Sequence, residues 1–166
     1  MATVTLKGNE IQTIGELPEV GSKASDFSLT AGDLSTKTLK DFSGNKLVLN
    51  IFPSLDTGTC AQSVREFNKV AGSLDNTKVL CISRDLPFAQ GRFCGAEGLE
   101  NVITLSDYKD GRFGKGYGVI FINGPLDALL SRSVIVLDEN GIVQYTEQVS
   151  ETVNEPNYEA ALEALK

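Results

Sequence analysis

This chain has no histidine and no tryptophan, only one methionine, and three cysteines among 166 residues. The missing imidazole excludes both Cys-His and Ser-His nucleophilic catalysis. Three thiols without histidine cannot complete a usual four-ligand zinc site unless a carboxylate joins them. No C-x-x-C pair is present, which removes the dithiol redox motif. Long apolar runs are absent too: nothing approaches the ~18 residues that a membrane-spanning helix needs. The opening "MATVTLKGNEIQTIG" has no basic stretch leading into an apolar one, so a cytoplasmic location is expected. Positive charge is scarce and dispersed, and 15 Lys and Arg against 22 Asp and Glu leave a net charge of −7. That balance repels a phosphate backbone and argues against nucleic-acid binding. No metal or cofactor is expected. Against these absences, a hydrophobic fraction of 41% and a charged fraction of 22% are those of an ordinary globular protein, and the length suits one domain over residues 1–166.

Patterning along the chain predicts its elements. "TVTLKGNEIQTIG" alternates around Lys7-Gly8-Asn9 as a β-hairpin does, and "DFSLTAGD" reads as a short strand running into a turn. "STKTLKDFSGN" reads as a loop with one helical turn. "KLVLNIF" (46–52) is continuously apolar, as expected of a central strand covered on both faces. Apolar residues at Ala61, Val64, Phe67, Val70, Ala71 and Leu74 predict an amphipathic helix ending between Gly72 and Asp75. "KVLCIS" is strand-like, "LPFAQGRFCGAEG" a short helix headed by Pro87, and "NVITLSD" a strand. "YKDGRFGKGYGV" is glycine-rich and expected to be irregular. "RSVIVLDENGIVQYTEQV" reads as two strands turning at Asp138–Gly141, and "EPNYEAALEAL" as a helix docking Tyr158, Leu162 and Leu165 on the sheet. The order defines an α/β fold with a mixed central sheet.

The stretch "FPSLDTGTC" leads from the central strand through a proline, small hydroxyl residues and a glycine to Cys60. Thr59 with Gln62 fits a capping box that would start the helix at Cys60, and Asp56 or Thr57 would start it a few residues earlier. Each alternative leaves Cys60 in the first turn, where free N–H groups and the positive dipole end favour an anion such as a thiolate. Pro53 ends the strand for want of a ladder donor and would shield the site with its ring. A merely packed cysteine at a helix start is the plain alternative. Cys81, between Leu80 and Ile82, reads as a small buried hydrophobe. Cys94 in "RFCGAEG" is uninformative alone, but beside a reactive Cys60 it is a candidate resolving thiol. A permanent cation near Cys60 would supply what histidine cannot, and Arg132, Arg65 and Arg92 are the candidates, Arg65 being the weakest.

Pro53, Thr57 and Cys60 form a P-x-x-x-T-x-x-C arrangement that resembles the peroxiredoxins. "NIFPSLDTGTCAQSVREFN", "VLCISRDLPFAQGRFCGAEGLENVITLSD", "YGV" and "RSVIVLDENG" are similar to the bacterial thiol peroxidase branch of that family. The resemblance implies a thioredoxin-like fold with an added N-terminal β-hairpin and a homodimer. It implies reduction of hydrogen peroxide and organic hydroperoxides, with thioredoxin as reductant. It makes Cys60 the peroxidatic thiol, Cys94 the resolving thiol of an intrachain disulfide, Thr57 the hydroxyl partner, Pro53 the shield and Arg132 the cation. Cys81 is left as a bystander. A rival reading keeps the same thiol chemistry but makes the protein a peroxide sensor with redox-regulated binding.

Overall fold

The computed structural model describes all residues, Met1–Lys166. Its organising strand is β5 (Lys46–Ile51), which sends apolar side chains toward both faces because both faces are covered, with the buried Asn50 amide donating to the Ser63 hydroxyl. Leu47, Leu49 and Ile51 enter one core cluster, while Val48 and, just beyond the strand, Phe52 enter the other. On one side β5 pairs in parallel with β6 (Thr77–Ser83), and on the other it pairs antiparallel with β8 (Ser133–Leu137). Both neighbours repeat the alternation: Leu80 and Ile82 against Cys81, and Ile135 and Leu137 against Val134 and Val136.

With β3 (Ser28–Ala31), β4 (Thr36–Thr38), β7 (Ile103–Ser106) and β9 (Val143–Gln148) these strands make a seven-stranded mixed sheet. Its order is β4-β3-β7-β6-β5-β8-β9. The helices α1 (Gly58–Ala71), α2 (Pro87–Glu97) and α4 (Tyr158–Glu163) cover one face. The opposite face is closed by Phe27, by Phe42 from a 3-10 turn (Leu39–Phe42) and by α3 (Arg112–Tyr117). This is the expected α/β fold, a mixed central sheet flanked by helices, with an N-terminal hairpin beside it.

That hairpin joins β1 (Thr3–Leu6) to β2 (Asn9–Gln12) through Lys7 and Gly8, both at positive φ (51° and 83°), the signature of a tight two-residue turn. It is fastened to the far end of the chain. Thr5 N–H donates to Ser150 O and Thr152 N–H to Thr5 O, each at 2.8 Å. The Glu151 carboxylate accepts from Lys7 N–H at 3.1 Å, Gly8 N–H at 2.8 Å and the Thr5 hydroxyl at 3.1 Å.

Two segments differ from expectation. Residues 36–38, read as loop, form edge strand β4, whose three residues carry too short a pattern to be seen in sequence. The glycine-rich stretch read as irregular contains α3. Its glycines bound the helix rather than break it, since Gly111 and Gly118 sit left-handed at its two ends (φ 68° and 71°). Inside, Phe113 and Tyr117 stack with centroids 4.5 Å apart, as the i, i+4 spacing allows. The buried Asp107 carboxylate accepts from Phe113 N–H and Gly114 N–H at its start.

Phe67 of α1 is fully buried and meets the Tyr158 ring of α4 edge-on at 5.2 Å, joining two helices that sequence leaves unconnected. Phe67→Ala is expected to destabilise the fold by about 3–5 kcal/mol, read as a lowered midpoint in urea unfolding.

Candidate active site

Beyond Ile51 the chain leaves the sheet at Phe52 and Pro53, both buried, and turns through Ser54–Thr57 into α1. The helix starts earlier than a Thr59–Gln62 capping box would place it. Thr57 is the N-cap residue and Cys60 lies three positions inside. Thr59 does not cap because its hydroxyl donates to Val153 O at 2.9 Å, and the Gln62 amide turns instead to Glu66 at 2.7 Å. The Thr57 hydroxyl does not cap either, donating backward to Ser54 O at 2.9 Å. No side chain therefore satisfies this helix end, and Cys60 lies among first-turn N–H groups that suit an anion.

The Cys60 sulfur is fully buried, and the cation that reaches it is Arg132, only 3% exposed, with one terminal nitrogen donating to Sγ at 3.3 Å. Arg132 immediately precedes β8, which pairs with β5 on the side away from β6. Its Nε donates to Thr152 O at 2.8 Å, so a backbone carbonyl aims the guanidinium. The second terminal nitrogen, Nη1, is buried without a hydrogen-bond partner in the protein. A guanidinium is a planar, permanently charged donor set and holds its proton beside a thiolate where imidazolium would compete for it. The other two candidate arginines are elsewhere. Arg65 forms a two-pronged ion pair with Glu97 of α2, both contacts 2.7 Å, and lies 5.7 Å over the Phe93 ring. Arg92 reaches only toward the exposed Asp56, at 3.9 Å.

Cys94 sits in α2, a half-buried free thiol packed against the same cluster that contains Cys60 and Cys81. Burial pushes its thiol up from the ordinary value. Sequence reasoning missed three contributors, Ser54, Asp85 and Thr152. Thr152 acts through its backbone carbonyl, which no side-chain pattern reveals. Ser54 and Asp85 meet only because the loop after β5 folds beside the end of β6, where the Ser54 hydroxyl donates to the Asp85 carboxylate at 2.7 Å. A surface cleft of about 590 Å³ between Lys23, Lys40 and the Asp138–Gly141 turn lies at the opposite end of β5 from this chemistry.

The fold and the buried thiol–guanidinium pair describe a thioredoxin-like peroxidase, and comparison with known proteins agrees. Residues 19–162 match the Redoxin family model. The chain is 56% identical to a thiol peroxidase of Corynebacterium glutamicum and 54% identical to one of Mycobacterium bovis, over 99% of both chains in each case. A crystal structure of a peroxiredoxin-like protein from Aquifex aeolicus superimposes with a TM-score of 0.93 at 34% identity, covering 99% of this chain and 96% of that one. The thiol peroxidase from Chromobacterium violaceum does so with a TM-score of 0.90 at 25% identity, over 98% and 94%. This chain belongs to the redoxin family, in its thiol peroxidase branch, and is a peroxidase of the peroxiredoxin type.

Cys81 gives this region a pH signature of its own. Burial pushes its thiol up to about 12, only partly offset by the Asn50 amide. The unfolded chain loses this proton near pH ~8.5 while the folded one keeps it. Stability is therefore intact below about pH 8.5 and is lost at about 1.4 kcal/mol per pH unit as pH climbs from there. Cys81→Ala is expected to flatten that alkaline slope, measured as unfolding free energy in urea between about pH 9 and 11.

Proposed function

We propose that the chain, as one domain in the cytoplasm and as a homodimer, reduces hydrogen peroxide and organic hydroperoxides through Cys60. The observation that carries this reading is the buried Arg132 nitrogen 3.3 Å from the Cys60 sulfur. The Cys60 thiolate attacks one peroxide oxygen and the O–O bond breaks. Sulfur becomes a sulfenic acid while the other oxygen leaves as alkoxide or hydroxide and takes up a proton. Negative charge moves from sulfur to the departing oxygen, so donors must face both. Arg132 fits that demand: one terminal nitrogen holds sulfur, and Nη1 has no competing partner within the protein.

Thr57 serves differently from a simple donor. A hydroxyl has one proton, and this one is committed to Ser54 O. Toward a substrate Thr57 therefore offers lone pairs, which accept the O–H of a hydroperoxide and orient it for attack along the O–O axis. Pro53, buried ahead of the loop, excludes water from the thiolate.

Cys94 then displaces hydroxide from the sulfenic acid to form an intrachain disulfide, which needs the two Cα atoms within about 7 Å. Both cysteines lie inside helices, and we propose that the first turn of α1 and the C-terminal part of α2 unwind in each cycle. Gly91 and Gly95 within α2 make it weak, each costing about 1 kcal/mol relative to alanine in a helix. Unwinding also exposes Cys94 and relieves the burial that pushes its thiol up. Thioredoxin reduces the disulfide and closes the cycle.

The test is stopped-flow peroxide consumption with thioredoxin, thioredoxin reductase and NADPH, on the parent and three variants. Cys60→Ser is expected to be inactive, and Cys94→Ser to complete one turnover without efficient recycling. Cys81→Ser should stay near the parent rate. A Cys60→Ser protein that consumes peroxide as fast as the parent would overturn the reading.

A further inference from the structure

One carboxylate lies behind the loop that carries Thr57. Asp85 lies two residues beyond the end of β6, and both of its oxygens are occupied by this neighbourhood. One accepts the Ser54 hydroxyl at 2.7 Å, and the other accepts Leu55 N–H at 2.8 Å and the Ser83 hydroxyl at 2.6 Å. Asp85 is itself pinned. Its N–H donates to the Ser83 hydroxyl at 3.3 Å, and its carbonyl accepts the Ser106 hydroxyl at 2.5 Å. Gln90 of α2 fixes Ser83 in turn, donating to its hydroxyl at 3.2 Å and to Leu105 O at 2.9 Å. These partners come from the ends of β6 and β7 and from the first turn of α2, ahead of the part proposed to unwind.

We infer that Asp85 is a positioning residue for peroxide reduction, holding the Ser54–Leu55 loop so that Ser54 O takes the Thr57 proton and Thr57 faces substrate as an acceptor. The chain of contacts is short. Asp85 grips Ser54 by its hydroxyl and Leu55 by its N–H, on either side of the Ser54 carbonyl. That carbonyl then accepts both Thr57 N–H at 3.2 Å and the Thr57 hydroxyl at 2.9 Å. Without the grip, Ser54 O is free to rotate. The Thr57 hydroxyl then loses its fixed acceptor and presents proton or lone pair at random to a hydroperoxide. The Arg132–Cys60 contact involves none of these atoms, so the thiolate and its cation are untouched. The inference rests on the reading of Thr57 as the substrate's hydroxyl partner.

The predicted effect separates two reactions of one sulfur. Peroxide attack needs an oriented O–O bond and hence Thr57, whereas alkylation by iodoacetamide needs the thiolate and access to it but no oriented O–O bond. Asp85→Ala is expected to slow sulfenate formation by about 10- to 100-fold. It should leave the rate and pH profile of Cys60 alkylation, followed by mass spectrometry of the Cys60 peptide, as in the parent. In a Thr57→Val background Asp85→Ala should have no further effect on the peroxide rate, because the group it positions is gone. Ser54→Ala, which removes one hydroxyl only, should slow sulfenate formation in the same direction and by less. It carries the test if Asp85→Ala does not fold. Equal losses in the parent and Thr57→Val backgrounds would overturn the assignment, as would a parallel fall in alkylation. If Thr57→Val alone leaves the peroxide rate unchanged, the role of Thr57 fails first and that of Asp85 with it. If Thr57→Val is slow but Asp85→Ala and Ser54→Ala are not, only Asp85 is misassigned.

Discussion

A guanidinium buried against a sulfur is costly unless its charge and its donors are both satisfied, and this requirement shapes the region around Cys60. Arg132 meets it on two of its three nitrogens, with the sulfur on one and the Thr152 carbonyl on another, while Nη1 stays without a partner in the protein. The carbonyl must stand at a fixed place for that to work, so the segment after β9 is tied down on both flanks. Thr152 N–H bonds to Thr5 O on one flank, and the Thr59 hydroxyl bonds to Val153 O on the other. The hydroxyl of Thr59 is thereby diverted from capping its own helix. The helix end stays uncapped by side chains, which is the condition that lets it face an anion. Anion site and cation placement are thus two results of one set of bonds.

How much of this could be read from sequence depends on how local each feature is. The central strand was legible because "KLVLNIF" is apolar at Leu47, Leu49 and Ile51 on one face and at Val48 and Phe52 on the other, and α1 because Val64 and Phe67 recur at helical spacing. Cys60 was legible because its approach through Pro53 and Thr57 is a local pattern. Arg132 was not separable from Arg65 and Arg92 by spacing. The choice depends on β8 pairing with β5, a contact between distant segments, and only family resemblance anticipated it. The capping box at Thr59 failed for a similar reason, since a tertiary acceptor, Val153 O, outcompeted the local one. Helix α3 was hidden because its glycines are read as breakers, whereas two of them stand at its left-handed ends.

Helix α2 joins firm ends to a weak interior. Pro87 starts it and Gly98 ends it cleanly, with the Gly98 N–H returning to Cys94 O and Gly95 O. The Arg65–Glu97 pair and the Phe93 ring hold its outer side to α1. Its interior, however, is interrupted by Gly91 and Gly95, and its thiol is only half-buried. Such a helix is well specified in its ends and weak in its middle, the combination found in segments that open locally while the rest of a fold stays closed.

The fastening of the hairpin to Glu151 has a meaning in the order of synthesis. Lys7 and Gly8 are made 144 and 143 positions ahead of the carboxylate that grips them. A chain emerging from its N-terminus holds Cys60 and α1 well before Thr152 exists to receive Arg132. Closing contacts so distant in sequence is also the slow part of folding, because the loop entropy must be met before the contact rewards it. The thiol is therefore made long before its cation is aimed. The complete pairing of thiol and guanidinium belongs only to the finished, closed molecule.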